Sequence, residues 1–264
     1  MVEEYITYHF AKIFYRTTGT GKPVVLLHGF GEDGAIWHNQ INFLKDHFQL
    51  IIPDLPGSGK SEIIPDMSIE GMAELIKTIV DIELLKLPHP QVALIGHSMG
   101  GYITLALAEK HPHLIHSFGL FHSSAFADNE EKKAARLKSI TFIKSNGVYD
   151  FLKTSIPGLF LYPEGYQPCI NLIEKAKQFT AEAIIKYYQA MIDRPDRTSV
   201  LKNFSGSVLF IIGVHDKAIP FEQSMQQCYL PVQSHIHILR NSAHMGMWEE
   251  TDKSNMQLLQ FLQR

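Results

Sequence analysis

Cysteine is scarce in this chain: only two occur among 264 residues, Cys169 and Cys228. A disulfide-stapled scaffold is therefore excluded. One bridge could form, but two free thiols in a reducing cytoplasm are the expected arrangement. Positive charge is not in excess either. Lys and Arg number 24 against 27 acidic residues, a formal charge of −3. No basic face is implied, which argues against nucleic acid as a partner. Long apolar runs are also missing. No stretch approaches the roughly 18 unbroken apolar residues of a membrane helix, so no membrane association is expected. The opening MVEEYITYHF is acidic and polar, without the cationic start and apolar run of a leader. What the chain does have is core material. It is 45% hydrophobic and 19% charged, enough for one compact domain with an insertion.

Short apolar stretches rich in β-branched residues recur at Val24–Leu27, Leu50–Ile52, Val92–Ile95, Phe118–Phe121, Val208–Ile212 and Ile236–Leu239. Apolar throughout, they read as strands buried on both faces of a parallel sheet. Helical patterns fall between them. Met72, Leu75, Ile76 and Ile79 share one helix face, with Ser68 placed to cap that helix and Glu70 at its positive end. Helices are also expected at Ile36–Asp46, Gly100–Lys110, Phe221–Leu230 and Trp248–Leu262, and two antiparallel strands in YITYHFAKIFYRTTG. The alternation breaks between about 125 and 196, where helical and aromatic-rich sequence intervenes. The expected organisation is a mostly parallel α/β core of residues 1–124 and 197–264 carrying a helical cap insertion at 125–196.

Two conspicuous features carry no chemistry. The 14 histidines include His111, His113 and His116 in one cluster and His235 with His237 in another. Neither has Cys or carboxylate partners at zinc-ligand spacing, so no metal site is expected. The stretch DLPGSGKS ends like a phosphate-binding loop, but the position that needs the first glycine holds Asp54. That carboxylate would repel a polyphosphate. Pro56 removes an amide from the cradle, and Pro65 interrupts the helix that should follow. A tight turn after a strand is the remaining reading.

The chemistry is carried by VALIGHSMGGYITLALAEK, residues 92–110. Gly96-His97-Ser98-Met99-Gly100 is a G-x-S-x-G motif between a strand and a helix, the context that gives it meaning. The turn is tight enough to strain the serine backbone. Side chains two residues to either side would strike the neighbouring strand and helix, and the following helix aims its positive end at Ser98. A serine hydroxyl needs a base. His244, in RNSAHMGMWEE after the last expected strand, would emerge at the sheet edge that presents Ser98. His97 should project away from its neighbour. The histidine needs an acid in turn. Asp216 in GVHDKAIP ends a strand at the same edge, whereas the rival Asp128 lies in a polar run, ADNEEKK, that reads as a solvated helix start. Oxyanion donors are expected from the Met99 amide and from the glycine loop LLHGFGEDG, at the Phe30 amide.

Together these segments clearly resemble the α/β-hydrolase superfamily. The resemblance rests on HGFGEDGAIW, DLPGSGKS, GHSMGG, RPDRT, GVHDKAIP and AHM and covers nearly the whole chain. It implies a mostly parallel sheet flanked by helices, a helical cap over the pocket, and Ser98, His244 and Asp216 as nucleophile, base and acid. It also implies that DLPGSGKS is a turn near the active-site edge. The subgroup it looks like is the small capped esterases and cofactor-free haloperoxidase-like enzymes. Relatives with an aspartate nucleophile are set aside by the serine at 98. Lyases of this fold are disfavoured because their arginines are replaced here by Gly101 or Tyr102 and by Ser58.

The expected activity is hydrolysis of a small to medium carboxylic ester through an acyl-enzyme, with no metal or organic cofactor. A carbon–carbon bond hydrolase, a thioesterase and a slow-turnover ligand receptor are alternatives on the same triad. The cap aromatics are expected mostly to pack cap against core, and EEKKAARLK to be a solvated helix face rather than a substrate clamp. Physiological substrate, acyl length and oligomeric state are not encoded legibly.

Overall fold

A computed structural model describes residues 1–264. The chain opens with β1 (Val2–Tyr8), β2 (Ala11–Thr18) and β3 (Pro23–Leu27), then α1 (His38–Leu44) and β4 (Gln49–Pro53). It continues through α2 (Ile69–Leu84), β5 (Val92–His97), α3 (Met99–Lys110) and β6 (Ile115–Phe121). Four helices follow without an intervening strand: α4 (Glu130–Asn146), α5 (Val148–Ser155), α6 (Gln167–Lys175) and α7 (Ala181–Asp193). The chain closes with α8 (Thr198–Asn203), β7 (Ser207–Gly213), α9 (Phe221–Gln227), β8 (Gln233–Leu239), α10 (Gly246–Glu249) and α11 (Thr251–Leu262).

The strands form one eight-stranded sheet in the order β1-β2-β4-β3-β5-β6-β7-β8. Only β1–β2 and β2–β4 pair antiparallel; β4 to β8 run parallel along the sheet. Every residue of β3 and of β5 is buried, so both faces of the sheet are covered, which is why these strands read as continuous apolar runs. The expected α2 is present, with Met72, Leu75, Ile76 and Ile79 buried. Its first turn is capped by Ser68, whose hydroxyl accepts from the Gly71 amide at 3.0 Å. Fold class and the helical insertion between β6 and β7 thus follow the sequence pattern.

Two helices differ from expectation. A short 3-10 turn at Gly34–Trp37 precedes α1, seeded by Asp33, which accepts from the Ala35 amide. The helix expected over 248–262 is broken at Glu250 into α10 and α11. The break frees two carboxylates to brace the loop that carries His244. Glu249 accepts from the Ala243 amide at 2.8 Å, and Glu250 from the Asn241 amide at 2.8 Å and the Ser242 hydroxyl at 3.0 Å.

DLPGSGKS is a turn held by its acid. Buried Asp54 accepts from the Gly34 and Lys60 amides, both at 3.0 Å, and from Arg16 at 3.1 Å. Gly59 sits at φ +55, where an added Cβ would lie 2.1 Å from that carboxylate. The helical insertion docks on this turn through Tyr187, whose hydroxyl donates to Pro56 O at 2.6 Å and lies 2.8 Å from the Ser58 hydroxyl.

Candidate active site

The β5–α3 junction has the strain its spacing predicts. Ser98 adopts φ +50, a region non-glycine residues rarely occupy. The conformation is pinned on both sides: the Ser98 amide donates to Phe121 O at 3.0 Å, and Ser98 O accepts from the Gly101 amide at 2.9 Å. The flanking glycines have no alternative. A Cβ at Gly96 would sit 2.4 Å from Gly100 O, and one at Gly100 would sit 2.6 Å from both Leu27 O and His28 O.

His244 and Asp216 come together from separate loops. His244 Nδ1 lies 2.8 Å from Asp216 Oδ2. The other oxygen, Oδ1, accepts from the Ala218 and Ile219 amides, each at 2.9 Å. Burial opposes charge on both groups. For Asp216, the facing histidines and the hydrogen bonds they make outweigh burial and hold the carboxyl well below its ordinary value. For His244, burial is likewise outweighed, and the carboxylate's charge and hydrogen bond raise it above 6.5. The Nδ1 proton is thereby fixed toward Asp216, leaving Nε2 free to act as a base. No hydrogen bond joins Ser98 Oγ to His244. Both residues nevertheless wall one cavity of about 170 Å³, together with Phe30. Nucleophile–base contacts of this kind often tighten only when substrate arrives.

The Phe30 amide makes no hydrogen bond within the protein, and Met99 opens α3, where its amide has no intrahelical acceptor. The glycine loop that presents Phe30 is held by its own acid. Glu32 accepts from the Gly29 amide at 2.6 Å and pairs with His97 Nδ1 at 3.0 Å. The opposite ring nitrogen of His97 lies 3.0 Å from His244 O. His97 therefore points away from the Ser98 hydroxyl, as expected, and ties the glycine loop to the His244 loop. The His244 amide in turn donates to Leu159 O in the helical insertion at 2.9 Å.

One residue escaped the sequence reading. His122, directly after β6, is fully buried at φ +49, with Nδ1 3.2 Å from Asp216 Oδ2. Burial pushes it down to about 4, so it is neutral at ordinary pH. The Gly213 amide also donates toward Nδ1 at 3.3 Å, and Nε2 is left without a partner. Its only sequence signal is a histidine at the sheet edge that presents Ser98. His122, Asp216 and His244 are also the one set of donor side chains close enough to share a cation. The Asp216 oxygens already accept from His244, Ala218 and Ile219, and His122 Nδ1 lies against Oδ2, which leaves the carboxylate little to offer an ion.

Two expectations are corrected. Asp128 is not solvated. It is buried between Arg136 Nε at 2.5 Å and Arg194 Nη2 at 2.9 Å, and these two cations hold its carboxyl below the usual range against burial. EEKKAARLK is largely exposed, but Arg136 leaves the solvated face and joins the wall of the Ser98 cavity. A larger groove of about 700 Å³ lies outside, between the β1–β2 hairpin and α6. It does not reach Ser98 or His244, but shares Gly31, Glu32 and Leu172 with the inner cavity.

A parallel-sheet fold with a strained serine elbow and a His–Asp pair at its carboxyl edge defines an α/β-hydrolase type of site. Residues 22–139 match the family model for the alpha/beta hydrolase fold. A thermophilic esterase from Thermogutta terrifontis superposes with a TM-score of 0.88 at 27% identity, over 100% of this chain and 98% of that one. A protein of Agrobacterium fabrum named as a carbamate hydrolase is 28% identical over 265 residues, 96% of this chain and 97% of the relative. The pimeloyl-[acyl-carrier protein] methyl ester esterase of Vibrio cholerae is 24% identical over 261 residues, 96% of this chain and 98% of the relative. The chain belongs to the α/β-hydrolase superfamily. It is a hydrolytic enzyme.

Proposed function

We propose that the protein is a serine hydrolase that cleaves a small to medium carboxylic ester through an acyl-enzyme. The observation that carries this reading is the arrangement of Ser98 on a strained turn, in the same cavity as a histidine whose Nδ1 lies 2.8 Å from Asp216. Relatives named as esterases support the ester as the scissile group. In this reading residues 125–196 act as the cap on a core of 1–124 and 197–264. Two unpaired, buried thiols suit a cytoplasmic setting.

His244 Nε2 takes the proton from the Ser98 hydroxyl as Oγ attacks the ester carbonyl carbon. The carbonyl π electrons move to oxygen, and the Phe30 and Met99 amides hold that oxyanion, each worth about 3 kcal/mol in the transition state. Collapse of the tetrahedral adduct expels the alkoxide, which leaves as the alcohol after accepting the proton from His244. Water then repeats the sequence. It gives its proton to His244, attacks the acyl carbon, and releases the carboxylic acid with the Ser98 hydroxyl restored. The sheet-edge carboxylate stabilises imidazolium in both halves.

The test is labelling with a fluorophosphonate, followed by turnover of p-nitrophenyl esters of increasing acyl length by wild type and Ser98→Ala. Labelling of wild type alone, with multiple turnovers, is expected. An unlabelled wild-type protein would overturn the mechanism, and a single slow turnover would favour a receptor.

A further inference from the structure

Arg136 is the unusual member of the cavity wall. The cavity is mostly apolar, with Leu152, Ile156, Leu159, Met191 and Ile219 among its walls. Its only other ionisable members besides His244 and the tyrosines are accounted for, because Glu32 is committed to His97 and the Gly29 amide. Arg136 is not so committed. Its Nε and, at 3.5 Å, its Nη2 face Asp128, while Nη1 has no partner in the protein. Asp128 is also not its own to keep, since Arg194 holds the same carboxylate with Nη2. Arg194 is engaged elsewhere, with Nη1 donating to Met191 O, Nη2 also to Phe126 O, and its guanidinium 3.9 Å over the Tyr102 ring. Two guanidinium groups thus share one carboxylate. Lys132 nearby has Gln223 and Ala218 O as partners and no carboxylate within ion-pair distance. Around Arg136 three cations thus face one carboxylate, and positive charge is left uncompensated beside the cavity. The hydroxyl of Tyr102, another wall residue, makes no hydrogen bond in the protein and is a second donor on the same side.

The geometry points to an anionic substrate: an ester that carries a free carboxylate, which Arg136 and Tyr102 bind while Ser98 attacks the ester carbonyl. This rests on Ser98 being the nucleophile and adds the substrate class. A guanidinium edge with an unused nitrogen is suited to a carboxylate, and the small cavity favours a short chain between the two functional groups. The carboxylate could sit on the acyl side or on the alcohol side of the ester. Both present the same anion to Arg136.

The experiment compares kcat/KM for three pairs of probes on wild type, Arg136→Gln and Arg136→Lys. The probes are methyl hydrogen succinate against dimethyl succinate, methyl hydrogen glutarate against dimethyl glutarate, and acetoxyacetate against its methyl ester. The first two place the anion on the acyl side, the third on the alcohol side. Wild type should prefer the anionic member of at least one pair. Arg136→Gln should lower that anionic-to-neutral ratio by about 10- to 100-fold, the value of one charge-assisted hydrogen bond, with partial rescue in Arg136→Lys. Equal use of anionic and neutral esters by wild type, or an unchanged ratio in Arg136→Gln, would overturn the assignment. Calorimetric titration of wild type with succinate and with succinamide reads the site without turnover or any variant. Succinate alone should bind; equal or absent binding of both counts against it. If no ester is turned over and fluorophosphonate does not label, the nucleophile reading fails, and the titration still decides the anion site.

Discussion

The sheet edge and the helical insertion between β6 and β7 both supply walls to one small cavity, yet they are built by different rules. At the edge, function needs a backbone that only certain residues permit: Ser98 at φ +50 between glycines whose added Cβ atoms would meet main-chain oxygens at 2.4–2.6 Å. Such demands are local and leave a signature in the spacing of residues. In the insertion, function depends on where a helix comes to rest. Arg136 sits in an ordinary charged helix, yet it lines the cavity and meets buried Asp128, which lies just ahead of α4. Backbone constraint is written in the chain, whereas placement by packing is not.

The sharpest way to break this contrast is at the serine. Ser98→Ala should cut ester turnover by about 10⁴- to 10⁶-fold while leaving the fold intact. Retention of turnover would move the chemistry off the elbow. Asp216→Asn comes next. It keeps the shape but loses the charge that raises His244, and kcat should drop by about 10⁴-fold. The pH profile adds a sign. His244 must be neutral to accept a proton, so activity is lost as pH falls through its pKa. In wild type that acid limb should lie above 6.5. The residual activity of Asp216→Asn should have its limb at lower pH.

Gly100→Ala sharpens the backbone side of the comparison. Alanine ordinarily favours a helix over glycine by about 1 kcal/mol, so propensity alone predicts a gain. A Cβ 2.6 Å from Leu27 O and His28 O predicts the opposite, a loss of about 3 kcal/mol or more in urea denaturation. A stabilised variant would show that the elbow has slack. The smallest effect is expected where the insertion meets the core. Tyr187→Phe removes the hydroxyl shared by Pro56 O and Ser58 and should cost about 1–2 kcal/mol in the same measurement.

The same contrast explains what could be foreseen. The buried strands, the α2 helix with its Ser68 cap and the elbow glycines were legible because each is a pattern within a few residues. The placing of Asp216 beside His244 followed from strand ends sharing an edge. Asp128 was misread because an acid in ADNEEKK has the local look of a solvated cap, and its burial depends on arginines 8 and 66 positions away. His122 carries no motif, since its partner is 94 positions distant. The break at Glu250 is equally silent, because apolar residues keep helical spacing on both sides while the acids fold back to hold the His244 loop.

The stitching of Leu159 and Leu161 has a mechanical consequence. The His244 amide is bonded to Leu159 O, and Glu249 bridges the Leu161 and Ala243 amides, so this side of the helical insertion is fastened to the loop bearing His244. Lifting it there would drag the imidazole out of line. On the opposite flank Leu172 belongs to the walls of both the outer groove and the inner chamber.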